Sequence, residues 1–85
     1  MDKKRILELR ARAQALSPTL YVGKDGVTEK VTVELSKQLE RNKLVKARFL
    51  PSASGDSMAL GKELAEKSGS VLVEVRGRTA VLARE

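Results

Sequence analysis

The sequence has no cysteine, no histidine and no tryptophan, and only one tyrosine and one phenylalanine. Each absence removes a class of chemistry. Zinc fingers, haem ligation through those residues and a disulfide framework are excluded. No Ser–His–Asp or Cys–His nucleophilic site can be built. Acid–base work would fall to Asp, Glu, Lys or Tyr. Two aromatics cannot supply the rows of stacking rings on which many single-strand-binding sheets rely. No apolar run approaches the roughly 18 residues of a membrane-spanning helix. After Met1-Asp2-Lys3-Lys4-Arg5 come mixed apolar and charged residues, unlike the apolar core of a signal peptide. The expectation is a protein without membrane attachment, resident in the cytoplasm. The lack of cysteine fits a reducing compartment.

What is present is positive charge. Seventeen Lys and Arg stand against eleven Asp and Glu, a net charge of +6 in 85 residues. The length fits one small domain, 1–85, and the 41% apolar content allows a modest core. Such a balance favours an anionic partner: nucleic acid, an acidic protein or a membrane surface. The charge is blocked. Residues 1–16 carry five cations and two anions, and residues 37–48 carry five and one. Residues 49–75 carry two cations and four anions, whereas 76–85 carry three and one. This pattern predicts one basic face and one neutral-to-acidic face if the basic segments are spatial neighbours.

Hydrophobic periodicity predicts the order α-β-α-β-α-β-β. Ile6, Leu9, Ala13 and Leu16 form one helical stripe over 3–16, with Asp2 as the cap and Ser17-Pro18 as the stop. Leu20-Tyr21-Val22 reads as a short strand. A second helix is expected over 29–42, capped by Thr28, striped by Val31, Leu35 and Leu39, and closed by Asn42. From Leu44 to Leu50 the sequence alternates, with Val45, Ala47 and Phe49 on one side and Lys46 and Arg48 on the other. The third helix is expected over 57–67, with Met58, Leu60, Gly61, Leu64 and Ala65 inward. Asp56 or Ser57 caps it and Ser68-Gly69 ends it. Strands over 71–75 and 79–83 then flank Gly77-Arg78, a two-residue hairpin turn with glycine first. This is an α/β fold: a mixed sheet, parallel through crossovers and antiparallel at the last hairpin, with helices packed on it.

Gly23-Lys24-Asp25-Gly26 follows a strand and opens a helix. Its glycines let backbone turn tightly and approach a ligand. Amides at a helix start favour an anion, and Lys24 adds mobile charge. A phosphate-binding P-loop needs four residues between its glycines, and a dinucleotide fingerprint needs a third glycine; neither is present. What remains is a G-x-x-G loop, the type that clamps RNA backbone in KH domains. There, however, the loop joins two helices, so a KH fold fits poorly. A plain βα turn is the alternative reading.

The residues resemble a known family. Leu9, Ala13, Leu16 and Pro18, then Leu20 through Thr28, Leu39, Asn42-Lys43-Leu44-Val45-Lys46-Ala47 and Gly77 through Arg84 are similar to the CRM domain (chloroplast RNA splicing and ribosome maturation) and its stand-alone bacterial YhbY-type members. The resemblance implies a fold like the C-terminal domain of the third bacterial translation initiation factor. It also implies RNA binding through the G-x-x-G loop, and association with precursors of the large ribosomal subunit. Two positions depart from the family pattern. Asp25 puts a negative charge where an uncharged polar residue is usual; it either turns inward to hydrogen-bond the loop or weakens a phosphate contact. Ala83 stands where Tyr usually precedes the final Arg, so that position is not carried over as a site.

The expected RNA-binding residues are therefore Gly23, Lys24, Asp25, Gly26, Thr28, Lys30, Lys37 and Arg41. Arg5, Arg12, Lys46 and Arg48 are secondary candidates, because their place relative to the loop depends on the sheet order. The expected partner is RNA, ribosomal RNA or large-subunit precursor particles, with the protein working as a monomer and with no cofactor, no metal and no catalytic residue. Glu29, Glu34 and Asp25 near the loop have ordinary roles as a helix-dipole partner, an ion-pair partner and a turn residue. The competing function is a protein-interaction module that docks an acidic partner.

Overall fold

The computed structural model describes residues 1–85. The elements are α1 (Lys3–Ala13), β1 (Leu20–Val22), α2 (Glu29–Asn42), β2 (Leu44–Phe49), α3 (Ser57–Ser68), β3 (Val71–Arg76) and β4 (Thr79–Ala83), in the expected α-β-α-β-α-β-β order. The four strands form one mixed sheet in the order β1-β2-β4-β3. β1 runs parallel to β2, whereas β4 lies antiparallel between β2 and β3.

Strand alternation divides the core in two. Val45, Ala47 and Phe49 of β2 and Ala80 and Leu82 of β4 face α2 and α3, where they meet Leu35, Leu39, Leu60 and Leu64. The intervening positions Leu44, Val81 and Ala83 face the other way and join Leu9 and Ala13 of α1, with Val73 of β3. The sheet is thus covered by two helices on one face and by α1 on part of the other. The basic block 37–48 is therefore divided: Lys37 and Arg41 lie on α2, across the sheet from α1, whereas Lys46 and Arg48 stand on the α1 face, so the expected single basic face forms only in part.

The local signals that start and stop the helices act largely as read. Asp2 accepts from the Arg5 amide at 2.8 Å, and Thr28 Oγ1 accepts from the Val31 amide at 3.2 Å. Asp56, rather than Ser57, caps α3 by accepting from the amides of Met58 and Ala59. Gly69 ends that helix in the left-handed conformation, φ 65°. Gly77, φ 57°, turns the β3–β4 hairpin as expected.

Three details differ from the sequence reading. Leu16 is not part of the buried stripe. After Ala13 the amides of Ala15 and Leu16 bond only three residues back, to Arg12 and Ala13, and this tighter turn leaves Leu16 exposed. Met58 points outward, since the buried positions of α3 are Ser57, Leu60, Gly61, Leu64 and Ser68, a stripe that Met58 falls beside. α2 ends at Asn42 as expected, and the left-handed reversal falls on Lys43, φ 63°, because β2 begins at the very next residue. Finally β2 stops at Phe49, one residue short of Leu50.

Candidate nucleic-acid interface

The G-x-x-G loop leaves the C-terminal end of β1 and enters α2. The Gly26 amide donates to the Gly23 carbonyl at 3.0 Å and closes a tight turn, and the Thr28 amide donates to the Gly26 carbonyl at 3.1 Å. At Gly26 a φ of +70° favours glycine, with Asn or Asp the next best tolerated. Gly23 is under no such constraint: its φ is ordinary, and a Cβ there would meet only Ser52 Oγ at 3.6 Å and Leu50 Cδ1 at 3.7 Å, normal contacts.

The amides of Lys24, Asp25 and Val27 have no acceptor within the protein, and Lys24 and Asp25 are fully at the surface. Of the two alternatives for Asp25, the inward hydrogen bond is not formed; its carboxylate makes no hydrogen bond. Thr28 is engaged on both sides, accepting from Val31 and holding Thr32 Oγ1 on its carbonyl at 2.9 Å. It shapes the loop rather than presenting free polar atoms.

The remaining expected residues separate into groups. Lys30 and Lys37 share one exposed surface of α2 with Glu29, Val33 and Glu34, and neither lysine is ion-paired. Arg41 lies one turn beyond Lys37, about 16 Å along the axis from Lys30. These three extend away from the loop on the α2 side. Arg5 pairs at the surface with Glu8 and Glu85, at 3.3 and 3.4 Å, and its charge is answered there. Lys46 donates to the Leu16 carbonyl at 3.1 Å. With Arg12 it borders a small depression beside Ser17 and Thr19 on the α1 side. Arg48 stands on that same sheet face, exposed.

Two contributors escaped the sequence reading. Arg78, in the hairpin turn, donates to the carbonyls of Leu50, Ala53 and Gly55 and so holds the segment that lines the loop at Ser52. Arg76, at the end of β3, is exposed and unpaired. Only the strand order brings either residue to the end of the sheet where β1 and β2 finish, and no local pattern encodes that order.

Comparison with known proteins places these features. The residue pattern of the CRS1/YhbY (CRM) domain family matches residues 1–84. "Probable RNA-binding protein YqeI" of Bacillus subtilis is 34% identical over 77 residues, spanning 91% of this chain and 80% of that protein. "Probable RNA-binding protein PA4753" of Pseudomonas aeruginosa is 36% identical over 70 residues, 82% of this chain and 67% of the relative. "Probable RNA-binding protein MJ0652" of Methanocaldococcus jannaschii is 35% identical over 78 residues, 89% of this chain and 58% of the relative. The solution structure of SAV1595 from Staphylococcus aureus superimposes with a TM-score of 0.85 at 30% identity, covering 100% of this chain and 88% of that one.

Proposed function

The chain belongs to the CRS1/YhbY (CRM) domain family, and from that premise we propose that it binds RNA by gripping the phosphate backbone at the Gly23–Gly26 loop. The names of three relatives, each a probable RNA-binding protein, support the reading. The observation that carries it is the loop itself. It holds three amides without acceptors, those of Lys24, Asp25 and Val27, and the exposed side chain of Lys24. Such an arrangement suits a phosphate, whose oxygens accept from amides at the start of a helix. Lys30, Lys37 and Arg41 continue the positive track. Contacts of this kind fix position and affinity but carry little sequence information, so a structured RNA read by shape is the natural ligand. The RNA that the family resemblance implies is ribosomal RNA in large-subunit precursors, and we adopt it as the proposed target. Binding is the whole activity in this reading; no step of catalysis is assigned.

The test is a double variant, Gly23→Asp with Gly26→Asp. Space exists for both side chains, and Asp tolerates the left-handed φ better than most residues. The fold is expected to persist by circular dichroism while RNA affinity collapses. Undiminished binding would remove the loop from the interface. Cosedimentation of the wild-type protein with large-subunit precursors should be abolished by RNase; survival of the association on purified protein partners would favour docking to an acidic protein.

A further inference from the structure

The strand register assembles a row that no segment of the sequence contains. Tyr21 of β1 pairs with Arg48 of β2, Arg48 with Thr79 of β4, and Thr79 with Arg76 of β3. Paired residues point to the same side, so Tyr21, Arg48, Thr79 and Arg76 cross all four strands on one face. It is the face that carries α1, but α1 covers only the region around Leu44, Val73, Val81 and Ala83. The row lies past the end of that helix, open to solvent. A groove of about 360 Å³ runs alongside, bordered by Gln14, Lys46, Glu74, Arg76 and Thr79.

The chemistry of the row is specific. Arg48 and Arg76 make no ion pair and no hydrogen bond within the protein, although they sit two strands apart, about 10 Å at the backbone. The acid nearest to them in the groove, Glu74, is already paired with Arg10 at 3.5 Å. Tyr21 is the protein's only tyrosine, and 53% of its surface is exposed on a strand, a position where a ring normally packs against a helix or a neighbouring sheet. Its hydroxyl makes one long contact to the Pro18 carbonyl. Two free guanidiniums and a bare ring in line offer charge for phosphates and a flat surface for a base. Tyr21 also lies two residues before Gly23, so the row and the loop are about 7 Å apart along the backbone.

We propose that this row binds unpaired nucleotides of the same RNA, with a base stacked on Tyr21 and the adjoining phosphates held by Arg48 and Arg76. The proposal rests on the RNA reading above and adds to it a single-stranded segment and a second surface, on the opposite side of the sheet from α2. The shortage of aromatics argued against rows of stacked bases; one exposed ring is enough for one base.

With no tryptophan and Phe49 buried, ultraviolet emission of the protein reports Tyr21 directly. The test titrates the protein with a hairpin RNA carrying an oligouridine tail and with the same hairpin blunt, at low salt, while anisotropy of a label on the RNA reports binding separately. The tailed RNA is expected to quench the emission and the blunt one to leave it nearly unchanged. Tyr21→Ser should weaken the tailed complex by about five-fold to a hundred-fold and Tyr21→Phe should not. Arg48→Ala and Arg76→Ala should each lower the slope of log affinity against log salt by about 0.7. Inorganic polyphosphate, which has charge but no base, should compete without quenching. Binding of the tailed RNA with unquenched Tyr21, or equal quenching by polyphosphate, overturns the stacking row and leaves the loop reading standing. If neither RNA binds, both readings fall.

Discussion

The Arg78 guanidinium donates to the carbonyl oxygen of Ala53 at 3.1 Å, across 25 residues of chain. The same group reaches Leu50 at 3.2 Å and Gly55 at 3.1 Å. One side chain in the hairpin turn therefore fastens the irregular segment between β2 and α3, and Ser52 in that segment stands beside Gly23. The outcome expected of Arg78→Ala is a loss of about 2 kcal/mol, a fall in Tm of about 8–16 °C. Faster hydrogen exchange at Ala53, whose amide bonds the Leu50 carbonyl at 2.9 Å, should accompany it. Arg78→Lys should recover little, because an ammonium cannot serve three carbonyls from one planar fork. Wild-type protection of Ala53 in Arg78→Ala would show that the segment stands without it.

Thr28 links the loop to the helix it opens. Removing its hydroxyl in Thr28→Ala leaves the Val31 amide without its cap, and the expected cost is about 1 kcal/mol. Thr28→Ser should restore most of it. Urea unfolding of the three proteins measures the series, and an unchanged midpoint for the alanine variant would rule out a stabilising cap.

Lys43 is the one residue other than glycine with a positive φ. The strain of holding a side chain at 63° should be relieved in Lys43→Gly, with a gain of about 1 kcal/mol. Its amide and carbonyl bonds, to Leu39 and from the Arg84 amide, involve backbone only and are retained. A lower Tm for the glycine variant would contradict this.

Gly61 lets α3 approach the sheet. A Cβ there would stand 3.1 Å from Leu72 Cδ1, 3.3 Å from Val75 Cγ2 and 3.4 Å from Ala80 Cβ. Gly61→Val should destabilise by about 2 kcal/mol or more through crowding. Gly61→Ala should cost less, since its helix propensity offsets part of the strain, by about 1 kcal/mol. Chemical denaturation of both variants checks the ranking; equal stability would mean that α3 shifts freely.

What the sequence disclosed and what it withheld follow the range of the interactions. α2 was legible from Glu29 to Asn42, because its cap, its stripe and its end all lie within a few residues of one another. Asp2, Gly69 and the Gly77 turn were legible for the same reason. Leu16 and Met58 were misplaced where a stripe runs into a helix end and the geometry tightens or rotates by one position. The loop could be found as a motif, but its free amides could not. Arg78 and the Tyr21–Arg48–Thr79–Arg76 row depend on β4 lying between β2 and β3. Nothing nearer than the strand pairing specifies that arrangement, so residues from four distant segments could not be brought together on paper.

The place of α1 has a consequence for the order of events during synthesis. Leu9 and Ala13 are buried against Leu44, Val73, Val81 and Ala83, so the surface they need is completed only by the last strand of the sheet. Of the seven elements, α1 is made before the others and waits longest for its seat. Until Ala83 has emerged, its apolar side stays uncovered while the α2 and β1–β2 side can already associate. Docking of α1 therefore follows synthesis of β4, and a nascent chain that has not yet made β4 presents the basic α1 undocked.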